Sequence, residues 1–356
     1  MKSRAEELLN RYSQLPNQLA PFSEHVREVI EYAISRLNLA RSVERPITRD
    51  LLILTAYQLL ELLSYHGSYV ELAKEQMRNR TWDALRNMLL FFSSRTGLGG
   101  SIIPVLADGY YALGKPVYFK RFRRMIPINP FYIISVDSTD LPIFWPLSVH
   151  ELAHCLLSET RHLEEALAHI TAQFELGREM RELLERRTEE LLCDIIAVRL
   201  CGPAYLDAFV YSLWPILSVR PSNEYPLHSL RLKCMALTLE EAGIYNYTEY
   251  INEIINSRVG FRGRDGLDEL DKVLESVKGF LIDITRNIPT LVNARIYERV
   301  KEVEDLAAMT SERITPPEIF NASWIMVKNT APNRFIMKAR DITPVIYESL
   351  ICALGR

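Results

Sequence analysis

The sequence predicts a mainly α-helical protein with a small β-sheet, an α+β arrangement in which the strands precede one central helix. Apolar residues recur at helical spacing before residue 100 and again from Pro146 onward. Between these regions lie short runs rich in aromatic and β-branched residues, which are typical of strands. The chain has 356 residues, of which 48% are hydrophobic and 24% charged, so it can bury a substantial core.

Helical periodicity is clear in the first hundred residues. One apolar face runs from Val26 to Leu37, and a second helix is predicted from Thr48 to Leu63. The Gly-Leu-Gly-Gly sequence at 97–100 is a flexible break and a plausible boundary. We therefore predict three regions, namely a helical N-terminal region, a central region that holds the strands, and a helical C-terminal region, at 1–100, 101–245 and 246–356.

The best strand candidates are Val117–Phe122 and Tyr132–Val136. The first of them overlaps a basic run from Lys120 to Arg124. A nucleic-acid interface is one interpretation of this run, and a solvated basic edge is the other. We favour the solvated edge, because the whole chain has a net charge of −3 and such runs are common on protein surfaces.

The composition also predicts a compartment. The N-terminus has no apolar segment typical of a signal peptide. The stretch Leu51–Tyr65 is apolar but is interrupted by Gln58 and Glu61, and it is shorter than the roughly 20 residues that span a bilayer. Five cysteines without a C-x-x-C pair support neither a disulfide framework nor a cysteine zinc knuckle. We expect a cytoplasmic protein with no membrane-spanning segment.

The most informative motif is H-E-x-x-H, formed by His150, Glu151 and His154. Residues four apart on a helix lie on the same face, so both imidazoles can reach one metal ion. The glutamate after the first histidine can accept a proton from a metal-bound water. The surrounding apolar face, which would hold this helix against a core, consists of Val149, Leu152, Ala153 and Leu156.

A zinc site needs a third protein ligand. The metzincin continuation of the motif is excluded, because Leu157 and Thr160 stand where glycine and histidine are required. His162 and His169 follow, but such histidines are more often solvated or capping residues.

Glu190 and Asp194 are better candidates, since they too are four residues apart on a predicted helix. That helix is apolar nearly all round from Leu191 to Cys201, so a carboxylate buried there needs a partner. The competing interpretation is a helix N-terminus at which Glu189 and Glu190 favour the helix dipole.

Together, H-E-L-A-H and the later E-x-x-x-D resemble the gluzincin branch of zinc metallopeptidases, the thermolysin-like arrangement. The resemblance covers about His150 to Tyr205 and implies a zincin-like core. It implies that Zn²⁺ is held by three ligands and that Asp194 supports a ligand histidine, the ligands being His150, His154 and Glu190. Glu151 would then be the general base that acts on a zinc-activated water.

Stabilising the oxyanion that forms when water attacks a carbonyl requires a further donor. The candidates are His228 and Arg231, with Tyr211 and Tyr225 as weaker ones. Arg231 could instead pair with one of the acidic residues, Glu190 or Asp194. The strand Tyr132–Val136 resembles the edge strand along which zincins bind an extended substrate, and a buried structural strand is compatible with that interpretation.

Three functions remain open on the sequence alone. The first is a zinc-dependent peptidase that cleaves a peptide or protein substrate. The second is a metal-binding but non-proteolytic regulatory or partner-binding protein, favoured by a closed shell with Cys193 or Asp194 as fourth ligand. The third is a helical protein that binds nucleic acid through residues 115–124, against which the overall acidity counts. The sequence does not indicate an oligomeric state.

Overall fold

The computed structural model describes residues 2–99, 101–113, 131–213, 225–257, 269–303, 314–330 and 334–354. The predicted strand Val117–Phe122 and the basic run Lys120–Arg124 lie outside these residues. The described residues form fourteen α-helices and three strands, so the prediction of a mainly helical chain with a small sheet is confirmed.

Two compact units make up the chain. The first comprises Met1–Arg86 together with Gly99–Ser138, and the second comprises Asn87–Leu98 together with Thr139–Arg356. The strands therefore group with the N-terminal helices in this division. The C-terminal helices and the H-E-x-x-H helix belong to one unit.

The first unit is built on long helices. They are α1 (Lys2–Tyr12), α2 (Ala20–Ser42), α3 (Pro46–Gln76) and the beginning of α4 (Arg80–Thr96), with a 3₁₀ turn at Asn17–Leu19. Proline stands in the first turn of both α2 and α3, where its missing N–H costs nothing. The helix predicted at 48–63 is thus part of a longer one. Its buried face carries Leu59, Leu63 and Val70.

The three strands are β1 (Ser101–Ala107), β2 (Tyr111–Leu113) and β3 (Phe131–Asp137), arranged in the order β1-β3-β2. The central strand β3 pairs in parallel with β1 and antiparallel with β2. The predicted strand Tyr132–Val136 is confirmed, but the prediction that it is an edge strand is wrong. Among the described residues β3 lies between the other two strands, and β1 pairs with it along its whole length while β2 pairs with Ile133–Ser135.

In the second unit a 3₁₀ turn at Pro142–Phe144 precedes ten helices. They are α5 (Leu147–Glu159), α6 (His162–Gln173), α7 (Arg178–Cys201), α8 (Pro203–Leu213), α9 (His228–Glu241), α10 (Asn246–Ser257), α11 (Glu269–Ile284), α12 (Ala294–Lys301), α13 (Pro316–Lys328) and α14 (Phe335–Leu354). Helix α7 contacts α5, α6, α8, α9, α11 and α13. Its residues 191–201 are all buried, as their apolar composition predicts.

The turn that ends α7 requires glycine. Gly202 adopts a φ of +64°, and a β-carbon there would lie 2.7 Å from Cβ of Val292. Pro203 then begins α8, which packs against α7 and returns Tyr205 to the buried centre of the unit.

Among the described helices, none combines the length and the apolar composition that crossing a membrane requires.

Candidate metal centre

The two motif histidines lie side by side on α5. The imidazole rings of His150 and His154 meet edge to face, with their centroids 4.9 Å apart. Both residues are buried, at 8% and 7% exposure. The opposite side of the helix is fixed by its apolar face, since Val149, Leu152, Ala153 and Leu156 are all buried. The packing predicted for this helix is confirmed.

Glu190 of α7 contacts both histidine rings. Its Oε2 lies 3.1 Å from Nε2 of His150, and its Oε1 lies 3.4 Å from Nε2 of His154. In a tetrahedral site with bonds of about 2.0–2.1 Å, neighbouring donor atoms are about 3.3 Å apart. The two separations involve different oxygens of Glu190, and each of them suits a pair of ligands on one ion and equally a hydrogen bond.

A second carboxylate stands behind each ring. Asp194 Oδ1 lies 3.0 Å from Nδ1 of His150, and Glu189 Oε1 lies 3.2 Å from Nδ1 of His154. A carboxylate at Nδ1 accepts a hydrogen bond from the N–H of that nitrogen and leaves Nε2 as the atom directed at a metal. On both rings, Nε2 is the nitrogen that faces Glu190.

Asp194 is held by a buried network. Arg231 of α9 donates from Nε to Oδ2 at 2.6 Å and from Nη2 to Oδ1 at 2.9 Å. The Tyr205 hydroxyl donates to Oδ1 at 2.6 Å and lies 3.1 Å from Nδ1 of His150. This aspartate is 0% exposed, so these donors supply the partners that a buried carboxylate requires.

Charges within the cluster raise the pKa of His150 and lower the pKa values of Asp194 and Glu190. Burial lowers the pKa of His150, but the hydrogen bonds that its ring donates to Asp194 and Glu190 outweigh burial and raise that pKa to about 10. Burial raises the pKa of Asp194, yet Arg231 and His150 bring it down to about 2. The pKa of Glu190 also falls well below its usual range, because both histidines outweigh its burial. The cluster is thus two carboxylates paired with cations.

A thiol offers a different ligand set. Cys193 Sγ lies 3.2 Å from Nδ1 of His154, and the donor atoms of His150, His154 and Cys193 lie within 4.8 Å of one another. This buried group could hold a metal ion. The two nitrogens of one imidazole cannot point at the same ion, so Cys193 at Nδ1 and Glu190 at Nε2 define alternative sites on His154.

Glu151 lies on α5 directly after His150, and it is half-buried. Within the part of the chain that the structure describes, its side chain makes no hydrogen bond or ion pair. Among the described residues its carboxylate is therefore not used as a structural bridge, which leaves it available as a proton acceptor.

The two candidates for the oxyanion donor differ. Arg231 directs Nε and Nη2 at Asp194, which is the alternative that the sequence left open, and its Nη2 lies 3.8 Å from Glu190. His228 begins α9, and among the described residues its buried Nδ1 has no hydrogen-bond partner. Burial and the charge of Arg231 lower the pKa of His228 to about 4, so its ring is neutral near pH 7.

The other candidates are engaged elsewhere. The expectation that His162 is solvated or caps a helix is wrong, because it is buried and contacts Thr160 and Asn287, each at 2.8 Å. His169 stacks on Phe280 with centroids 3.7 Å apart. Tyr211 packs between Trp324 and Phe335, and the exposed Tyr225 lies over Arg231, with its ring centroid 5.8 Å from Cζ.

Sequence reasoning missed Tyr205 and underestimated Glu189. The helix dipole does not account for Glu189, since α7 begins at Arg178 and the glutamates lie in its interior. The available signal was its position beside Glu190 on a helix facing a histidine motif. For Tyr205, the signal was the Gly-Pro pair at 202–203, which predicts that the chain turns back after α7.

In comparisons with known proteins, no protein-family model, no curated protein and no solved structure matches this chain.

Proposed function

We propose that this protein is a zinc-dependent peptidase of the gluzincin type. One observation carries the proposal: the Glu190 carboxylate lies against Nε2 of both His150 and His154. Two histidines and one glutamate are the ligand set of catalytic zinc sites, which keep a position open for water or substrate. The side chains of His150, His154 and Glu190 retain 10%, 9% and 15% exposure, so none of the three is fully buried.

The donor set fits zinc on chemical grounds. Imidazole nitrogen and carboxylate oxygen are ligands that Zn²⁺ takes in proteins, and both histidines have a carboxylate at the opposite nitrogen. The negative charge of Glu190 and the carboxylates behind the rings would balance a divalent cation. When bound, zinc supplies Lewis acidity, which polarises a carbonyl and lowers the pKa of water.

The protein's own residues would then have separate roles in the reaction. Glu151 would accept a proton from the attacking water and return it to the leaving amine. Asp194, held by Arg231, would keep the His150 ring oriented. Of the two oxyanion candidates we favour His228, because it is neutral and has an unsatisfied nitrogen, whereas Arg231 is engaged with Asp194.

The test is cleavage of a mixed peptide library, read by mass spectrometry. Zinc-loaded wild type should cut peptides, 1,10-phenanthroline should stop it, and added zinc should restore it. Glu151→Gln should retain zinc and lose cleavage by at least a hundredfold. Cleavage at the same rate by Glu151→Gln, or none by a zinc-loaded wild type, would contradict the proposal.

A second candidate is a metal-binding protein without peptidase activity, and the contact of Cys193 with His154 favours it. A thiolate ligand in place of Glu190 would suit a structural site, since cysteine ligands are typical of structural zinc centres. Cobalt substitution separates the two, because a thiolate bound to Co²⁺ gives an intense near-ultraviolet charge-transfer band that carboxylate ligands do not. A band that disappears in Cys193→Ser would favour this candidate.

A further inference from the structure

We propose that Tyr205 is a positioning residue that fixes the orientation of the His150 ring for metal binding. This inference rests on the proposed metal site. Tyr205 lies on α8, which supplies none of the candidate ligands described above, and it is 1% exposed. Its ring lies parallel to that of His150, with an interplanar angle of 8° and centroids 6.3 Å apart.

The hydroxyl of Tyr205 contacts both Asp194 and His150. It donates to Asp194 Oδ1 at 2.6 Å and stands 3.1 Å from Nδ1 of His150. The same oxygen of Asp194 lies 3.0 Å from that nitrogen. The three polar atoms therefore form a triangle on the side of the ring opposite Glu190, where they restrain rotation of the imidazole.

The hydrogen bonds to Asp194 restrict the position of its carboxylate. Both oxygens of Asp194 accept from Arg231, and Oδ1 also accepts from Tyr205. A carboxylate satisfied in this way is fixed in place, so it presents a fixed acceptor to the N–H at Nδ1 of His150. Without the hydroxyl, Asp194 loses a short hydrogen bond and Nδ1 of His150 loses one of its two polar neighbours.

Tyr205→Phe tests this role, and Tyr247→Phe is a matched control. The Tyr247 hydroxyl is also buried and donates to a buried aspartate, Asp207, at 3.0 Å, but it does not contact the histidines. Each substitution deletes one oxygen from a buried tyrosine–aspartate pair. Any loss of folding common to both variants therefore reports on structure and not on metal positioning.

Zinc affinity is measured by competition with a chromophoric chelator, and the ligand geometry is measured from the visible spectrum of the Co²⁺-substituted protein. We expect Tyr205→Phe to bind zinc about 10- to 100-fold more weakly and to change the Co²⁺ spectrum. Tyr247→Phe should leave both as in wild type. Thermal melting of the zinc-free proteins shows what each change costs in folding.

Equal zinc affinity and an unchanged Co²⁺ spectrum in Tyr205→Phe would overturn the role of Tyr205 while leaving the metal site standing. Equal losses of affinity in Tyr205→Phe and Tyr247→Phe would also overturn it, because a general loss of stability would then explain both. A wild type that binds no zinc would overturn both this inference and the proposed function.

Discussion

Arg231 donates two hydrogen bonds to the Asp194 carboxylate, of 2.6 and 2.9 Å, and both residues are buried. A pair of this kind is costly to break, because the remaining charge stays in a site that water does not solvate. It links α9 to α7 directly behind the histidine that Asp194 supports. The pair therefore contributes both to the stability of the second unit and to the geometry of the candidate metal centre.

Arg231→Met should destabilise the second unit by about 3–5 kcal/mol, because it leaves the buried Asp194 without the guanidinium that donates two of its hydrogen bonds. The measurement is urea unfolding of the zinc-free protein. Arg286→Met is the control, since this exposed arginine also forms an ion pair, with Glu241 at 2.8 Å, and should leave the free energy of unfolding nearly unchanged. Equal effects of the two substitutions would show that the buried pair contributes nothing special.

Glu190→Gln should weaken zinc binding by at least tenfold, because it removes the charge of the carboxylate shared by the two histidines. Glu185→Gln, an exposed position on the same helix, should bind zinc as wild type does. Glu151→Gln should also keep zinc, because we propose that Glu151 accepts a proton and does not bind the metal. A loss of zinc in Glu151→Gln, measured by equilibrium dialysis, would show that these two roles are wrongly assigned.

Much of the site follows from helix geometry alone. The i and i+4 spacing places His150 beside His154, and Glu190 beside Asp194, whatever the rest of the fold. The apolar sequence after Glu190 predicts that its helix is buried, which brings the two pairs together. The partners of these residues could not be predicted in the same way. Tyr205 reaches Asp194 because the chain turns after α7 and α8 packs against α7. The spacing of residues on a single helix predicts neither the turn nor the packing.

For the sheet, the sequence predicted one strand but not how the strands pair. Strand β1 was not predicted, because Pro104 interrupts its apolar run and proline removes a ladder donor. The structure places β1 at an edge, where proline is tolerated, and Trp82 donates from Nε1 to the Pro104 carbonyl at 2.9 Å. Strand β3 has the same composition whether it lies at the centre or at an edge. Its central position is decided by its pairing partners, which local sequence does not specify.

Zinc affinity should rise with pH. The pKa of His150 is raised to about 10, so near neutral pH the ring carries a proton that a metal ion must displace. One displaced proton predicts about a tenfold gain in affinity per pH unit, levelling off above the pKa. Competition titrations at three pH values between 6.5 and 8.5 measure this slope. An affinity independent of pH would mean that His150 is neutral before zinc binds.

The first unit should lose stability on acidification through His66. This histidine is 4% exposed, and burial lowers its pKa to about 4. Between about pH 6.5 and pH 4 the unfolded chain binds a proton at this residue and the folded chain does not, so the free energy of unfolding falls as the pH falls. From pH 7 to pH 5 the loss from this residue is about 2 kcal/mol.

His66→Leu should remove that part of the pH dependence, because the replacement does not titrate. Urea unfolding of wild type and variant at pH 7 and pH 5 gives the difference directly. The same dependence in both proteins would mean that His66 titrates normally and is not shielded from water.

The existence of the metal site is tested most directly by metal content. Wild type, His150→Ala and the control His169→Ala are purified without added metal and analysed by mass spectrometry. We expect about one zinc per chain in wild type and in His169→Ala, and loss of zinc in His150→Ala. Wild type without metal, even after zinc is added back, or His150→Ala with as much zinc as wild type, would contradict a zinc site between α5 and α7.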